Sequence, residues 1–290
     1  MTNQSAVKKS RLMIAASMTI FGTIALFVRN ISVTSAEIAL YRAALATVLL
    51  GGFFLVTGSK IDLRAIRKEL PLLLFSGMAM GINWILLFEA YRYTTVSVAT
   101  LSYYFAPVIV TLVCPILFKE KMGAKQWICF VMSTVGIVLI TGIGDLSGSN
   151  RHFTGILFGL GAAVLYATVV LLNKFIKGVS GVHRTFLQFA AALLTLLPYV
   201  LLTSGFTLGN LDASGWISLL VVGIVHSGIA YCLYFSALKD IPGQEAAILS
   251  YIDPLVAVAV SVFVLGEQLT ALQLIGGILI LGFTLYNEIK

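Results

Sequence analysis

Charged side chains are what this chain has least of: only 11% of its 290 residues are Asp, Glu, Lys or Arg, against about a quarter in soluble domains. With 59% hydrophobic residues and a mean hydropathy of +1.00, a water-soluble globule is excluded and a membrane protein is implied. Cysteine is nearly as scarce. Cys114, Cys129 and Cys232 stand alone in apolar runs, which excludes a disulfide framework or a cysteine metal site. No GxxxxGK[ST] signature is present, so ATP hydrolysis within the chain is not expected. Polar stretches long enough to fold as a separate domain are missing too, which confines the function to the bilayer.

A helix needs roughly 20 mostly apolar residues to cross a bilayer. Runs of about that length are expected from Leu12 to Val28, Ala36 to Thr57, Leu70 to Tyr91, Val96 to Phe118 and Lys125 to Ile143. Five more follow, from Phe153 to Lys174, His183 to Ser204, Ser214 to Leu238, Gln244 to Leu265 and Thr270 to Glu288. The predicted class is an all-α membrane protein of ten spans. The basic segment Met1 to Arg11 precedes a run without a small-residue cleavage pattern, so it is expected to lead into a first span rather than to be a removed signal peptide.

A net charge of +7 invites a nucleic-acid partner, but the distribution of the cations points elsewhere. With the N-terminus inside, fifteen of the nineteen Lys and Arg fall in cytoplasmic breaks. Only Arg29, Arg92 and Arg151 fall in outer breaks, and Arg42 lies within a helix. This is the positive-inside bias, and it predicts the cytoplasmic membrane with both termini cytoplasmic.

One stretch occurs twice. Leu101-Ser102-Tyr103, Pro107 and Glu120 are answered by Leu249-Ser250-Tyr251, Pro254 and Glu267. At an offset of 147, Phe88 falls on Phe235, Ala90 on Ala237, Tyr104 on Tyr251, Pro107 on Pro254 and Gln126 on Gln273, with weaker echoes at Trp84 and Tyr231, Gly81 and Gly228, and Gly58 and Gly205. Two five-helix repeats follow, over 12–143 and 153–288, joined through Gly144 to Asn150. An odd number of helices per repeat makes the second copy enter the membrane from the opposite side. Inverted repeats place a shared cavity near the midplane and open it to each side in turn.

Ten helices in two halves, prolines in the fourth and ninth, and the short Phe118-Lys-Glu-Lys and Leu265-Gly-Glu-Gln turns together resemble the drug/metabolite transporter superfamily, in its EamA-domain branch. The resemblance covers nearly the whole chain. It implies alternating-access transport, with helices one to four and six to nine lining a central cavity and helices five and ten packed outside. Several members of the family export amino acids or other small metabolites.

Candidate cavity residues follow from the cost of polarity in lipid. Asp253, midway along the ninth helix and before Pro254, stands where the first copy has Ala106. It could carry a proton or bind an amine, or it could serve the backbone carbonyl that proline leaves unpaired; both readings stand. Arg42 could receive a substrate carboxylate, or form a gate or ion pair with Glu89 or Asp253. Glu89 could equally pair with Arg92 on its own helix face. Trp84, Tyr104, Tyr166, Tyr231 and Tyr251, with Phe21, could wall a chamber for flat or cationic solutes, or simply pack. Asn83, Gln188 and His226 add uncharged hydrogen-bonding capacity, and His226 has no second metal ligand at suitable spacing. Pro107 and Pro254 are expected kinks. Gly77 with Gly81 and Gly155 with Gly159 are spaced for close helix approach.

The expected function is secondary transport of small organic solutes, amino acids or related metabolites first, by export. An alternative is organic-cation export; relatives of that kind depend on a glutamate in the first helix, and Ile14 to Val28 has no acid. A channel would need a ring of repeated polar residues, which the halves lack. A membrane enzyme would need converging catalytic groups. Gly142-Ile143-Gly144-Asp145 matches an intramembrane protease pattern, but Asp145 falls at a helix end without a facing aspartate. No cofactor is expected. The partners are a small-molecule substrate and the bilayer, not nucleic acid, and a monomer is compatible with the pattern.

Overall fold

A computed structural model describes every residue except 1, 63, 65, 119–122, 142–149, 180, 239–240, 242 and 290. Glu120, the GxGD match at 142–145 and the junction between the repeats therefore lie outside the described residues. No strand occurs among those described. The chain begins with α1 (Thr2–Gly22) and α2 (Ile24–Val28), then α3 (Ser35–Thr57) and α4 (Leu70–Tyr93). Next come α5 (Val96–Tyr103), α6 (Ala106–Phe118), α7 (Ala124–Thr141), α8 (Asn150–Phe175) and α9 (Gly181–Thr203). A 3-10 turn at Leu208–Asn210 leads to α10 (Ala213–Val221), a π-helix (Val222–Ile229) and α11 (Ala230–Leu238). The chain closes with α12 (Gly243–Ser250), α13 (Ile252–Phe263) and α14 (Ala271–Glu288).

Seven helical stretches are long and apolar enough to cross a membrane: Ala6–Val28, Ser35–Thr57, Leu70–Tyr93, Val96–Cys114, Asn150–Phe175, Gly181–Thr203 and Ala213–Tyr234. Three shorter apolar helices, Ala124–Ile140, Ile248–Phe263 and Ala271–Asn287, stand where the other three spans were expected. The ninth expected span, drawn to Leu265, stops at Phe263 because Gly266 turns the chain at a φ of 66°. Leu55, Val56, Leu202 and Phe263 are each more than four-fifths exposed, a surface that suits lipid and not water.

Each of the two prolines lies just after an interruption within a longer apolar helical stretch, Val96–Cys114 and Ile248–Phe263. The chain breaks ahead of each, at Tyr104–Phe105 and at Tyr251, so that Pro107 and Pro254 sit in the first turns of α6 and α13. Proline has no N–H and its ring crowds the carbonyl four residues back, while a first turn has no partner for that N–H in any case. Tyr104 and Tyr251, equivalent in the repeat, are the two break residues. A third break, at Thr23, divides the first expected span into α1 and α2.

α4 lies at the centre, against α8, α9 and α3, and its neighbours share the largest apolar core. Gly77 allows the approach of α9: a Cβ there would stand 2.5 Å from the Gln188 carbonyl. α1 packs along α11, α12 and α13, while α7 pairs with α14 to one side. Polar contacts pin the helix ends. Glu37 completes a capping box with Thr34 and accepts from the Thr207 N–H at 2.6 Å, tying α3 to the turn after α9. At the other end of the same pair, Ser59 bonds His183 at 2.8 Å. Glu69 accepts from the Gly178 N–H at 2.9 Å. Arg29 pairs with Glu267 at 2.6 Å, and Arg11 pairs with Glu245.

Candidate functional site

The breaks surround one cavity of about 400 Å³. Each break replaces a turn of regular helix with residues whose side chains can turn inward. Tyr103, Tyr104 and Pro107 come from the α5–α6 break; Ser250, Tyr251 and Asp253 come from the α12–α13 break. α3 supplies Arg42, α4 supplies Trp84, Leu87 and Tyr91, α8 supplies Tyr166, and α11 supplies Tyr231 and Tyr234. Neither α7 nor α14 contributes to the wall.

Arg42 is 4% exposed. Its Nε donates to Ser227 Oγ at 2.8 Å, and its guanidinium carbon lies 4.5 Å from the Trp84 ring centre and 6.0 Å from that of Phe88. Such a desolvated cation–π contact contributes about 2 kcal/mol. It makes no ion pair with any described carboxylate, and its two Nη groups make no hydrogen bond to a described residue. The π-helix is what places its partner. Ser227 Oγ also donates to the Val222 carbonyl, five residues back, at 3.0 Å, which fixes the hydroxyl as the acceptor for Arg42. Mid-helix π turns are frequent at functional sites for this reason: they redirect one side chain without ending the helix.

Asp253 lines the same chamber. Its Oδ2 accepts from the Tyr104 hydroxyl at 2.7 Å. The first copy of the repeat has Ala106, which offers no acid, at the position equivalent to Asp253. α1 comes close here through Gly22, where a Cβ would stand 2.6 Å from the Asp253 carbonyl oxygen. Rings make up much of the wall and of the packing behind it. Trp84 meets Phe189 at 5.2 Å, Phe189 meets Tyr231 at 5.2 Å, and Tyr231 meets Phe21 edge-on at 5.0 Å. Tyr103 links Tyr104 at 5.7 Å with Tyr166 at 5.4 Å.

Of the residues singled out in the sequence, Phe21, Arg42, Trp84, Tyr104, Pro107, Tyr166, Tyr231, Tyr251 and Asp253 meet at this cavity. The others lie elsewhere. Asn83 donates to the Ala162 carbonyl between α4 and α8. Gln188 donates to Ser76 at 2.6 Å and to Asn173 at 2.8 Å. His226 is held between Thr23 Oγ1 at 3.1 Å and the Val221 carbonyl at 3.2 Å. Glu89 lies 3.9 Å from Arg92, and Pro254 is buried beside the wall without lining it. Ser227, Tyr91 and Tyr103 escaped the sequence reading. Tyr103 carried a signal, as the third residue of the doubled Leu-Ser-Tyr; Ser227 carried none. Among the described residues, no three His, Cys, Asp or Glu side chains converge as a metal site would require.

A cavity walled by rings, with one buried cation and one carboxylate and no assembled nucleophile, is suited to hold a solute. Comparison with known proteins agrees. The pattern of the EamA-like transporter family matches the chain twice, over residues 8–142 and 153–287. An uncharacterized transporter of Bacillus subtilis (strain 168), YxxF, is 29% identical over 265 residues, covering 91% of this chain and 84% of its own. An uncharacterized transporter of Archaeoglobus fulgidus is 28% identical over 270 residues, covering 92% of each. A probable amino-acid metabolite efflux pump of Salmonella typhimurium is 28% identical over 173 residues, 57% of this chain and 58% of the pump. One crystal structure superposes with a TM-score of 0.63 at 19% identity over 95% of both chains, a likeness of fold alone. The chain therefore belongs to the EamA-like transporter family, and it is an integral membrane transporter rather than an enzyme.

Proposed function

We propose that this transporter moves zwitterionic small metabolites, amino acids foremost, out of the cell by alternating access through the central cavity. The observation that carries the reading is Arg42: a buried guanidinium, oriented through Nε and without a carboxylate, leaves its two Nη groups for a ligand. A carboxylate takes such a fork in two parallel hydrogen bonds. Asp253, with Tyr104, would then receive the ammonium end or carry a coupling proton. The name of the Salmonella relative supports amino-acid metabolites and export. In this reading the three shorter apolar helices also span, the two matched halves are inverted five-helix repeats, and both termini face the cytoplasm of a cell whose inner membrane holds the protein.

A second reading, organic-cation export, draws on Asp253 among tyrosines. It fits less well because a cation would share the chamber with Arg42.

Purified protein in proteoliposomes tests both charges. Arg42→Gln should weaken binding of a carboxylate solute about tenfold, the worth of a charge-assisted pair, while its amide analogue is little affected. Equal losses for acid and amide would make Arg42 structural. If Asp253 carries the coupling proton, Asp253→Asn should abolish accumulation driven by a pH gradient and leave solute exchange; unchanged pH-driven accumulation would remove the proton role.

A further inference from the structure

We infer a second, anion-binding site at the end of the molecule where α2 and α4 finish. Arg29, Arg92 and Arg151 are far apart in sequence, yet all three line one pocket of about 580 Å³. They are also the only Lys or Arg that the charge distribution assigns to the outer breaks. Since that side of a membrane protein is otherwise depleted of cations, their convergence calls for a local cause.

Capping explains part of it. Arg29 Nη2 donates to the Thr94 carbonyl at 3.2 Å and Arg151 Nη2 to the Arg92 carbonyl at 3.0 Å, where α4 leaves its last carbonyls unpaired. Each such bond uses one of the five N–H groups of a guanidinium. Arg29 is neutralised by Glu267 at 2.6 Å, whereas Arg92 has Glu89 only at 3.9 Å and Arg151 pairs with no described carboxylate. No acid lines the pocket, whose remaining wall is Val28, Ile31, Tyr91, Tyr93 and Thr94. Arg92 and Arg151 are reachable from solvent, so a hydrated anion can enter without unfolding. The chemistry selected is an oxyanion group, phosphate or carboxylate, on a free solute or on a lipid headgroup.

The pocket shares a wall with the central cavity. Tyr91, 5% exposed, lines both, and Arg29 reaches across its carbonyl. The oxyanion site is thus placed one residue beyond the chamber that holds Arg42. Its use as the outer port of the transport path rests on the function proposed above; the site itself does not.

The test uses the full chain in neutral phosphatidylcholine nanodiscs and reads phenylglyoxal modification of each arginine by peptide mass spectrometry. Inorganic phosphate at about ten times its Kd should slow modification of Arg92 and Arg151 about tenfold, in proportion to occupancy, and leave the exposed Arg64 and Arg67 unchanged. Protection in phosphate-free discs containing phosphatidylglycerol, without protection by phosphate, would assign the site to a lipid headgroup. Arg151→Gln should relieve the protection of Arg92. Modification of Arg92 and Arg151 at the same rate with neither probe, phosphate or phosphatidylglycerol overturns the site, as does equal protection of Arg64 and Arg67. The readout needs no transport, so its failure is separate from a failure of Arg42→Gln to change solute binding.

Discussion

Arg42 is a cation almost wholly buried in a packed bundle, and its surroundings answer it with ring faces and one hydroxyl instead of an acid. That choice leaves the charge available. Ser227 is therefore a positioning residue: it holds Nε and so sets the direction of both Nη groups. Ser227→Ala should leave a buried N–H unmet at a cost of about 1–3 kcal/mol, lowering the unfolding temperature and weakening carboxylate binding more than amide binding. Thermal-shift titration with both ligands checks this; equal weakening of the two would show a purely structural hydroxyl. The sequence showed Arg42 and Asp253 because charges in apolar runs are conspicuous. It did not show which polar neighbours they find, so the suggested partners Glu89 and Asp253 gave way to Ser227 and Tyr104. Asn83, Gln188 and His226 stood out as uncharged polar groups in apolar runs, and each bonds a neighbour outside the chamber wall.

At the level of helices, interruptions build the site. Two prolines move into first turns, which puts Tyr104, Tyr251 and Asp253 at breaks, and the π-helix turns Ser227 toward α3. Prolines are legible in sequence, and each sits just after an interruption of its helical stretch. The π-helix was not legible, since its extra residue per turn is chosen by packing against α3 and not by any local motif. Gly22 lets α1 rest on the second break. Gly22→Ala would set a methyl against the Asp253 carbonyl and Val256, an overpacking that costs about 1–3 kcal/mol, and should lower both stability and transport. Gly282 in α14 has open space around it, so Gly282→Ala should be neutral or stabilise by up to about 1 kcal/mol. Comparing unfolding temperatures of the two variants checks this pair; equal effects would deny the contact at Gly22.

Across the whole chain, the repeat ties these breaks together. Tyr104 and Tyr251 are equivalent in it, and so are Gly58 and Gly205, which both take a φ of 64° just beyond α3 and α9. Positive φ suits glycine, so this pairing was legible from composition and spacing alone. Span number was less so, because seven helices meet the length and polarity expected of a crossing and three fall short. If the halves are inverted, the equivalent turns after α3 and α9 lie on opposite faces. With the three native cysteines replaced by serine, Lys60→Cys should react with an impermeant maleimide only from the cytoplasm and Gly209→Cys only from outside. Labelling from one side would contradict the inversion. The central claim, that a carboxylate solute crosses through the chamber at Arg42, is tested most directly by counterflow of a radiolabelled amino acid in proteoliposomes. Saturable exchange in wild-type protein that falls about tenfold in Arg42→Gln is the expected result. Exchange that is equal in both proteins would contradict it.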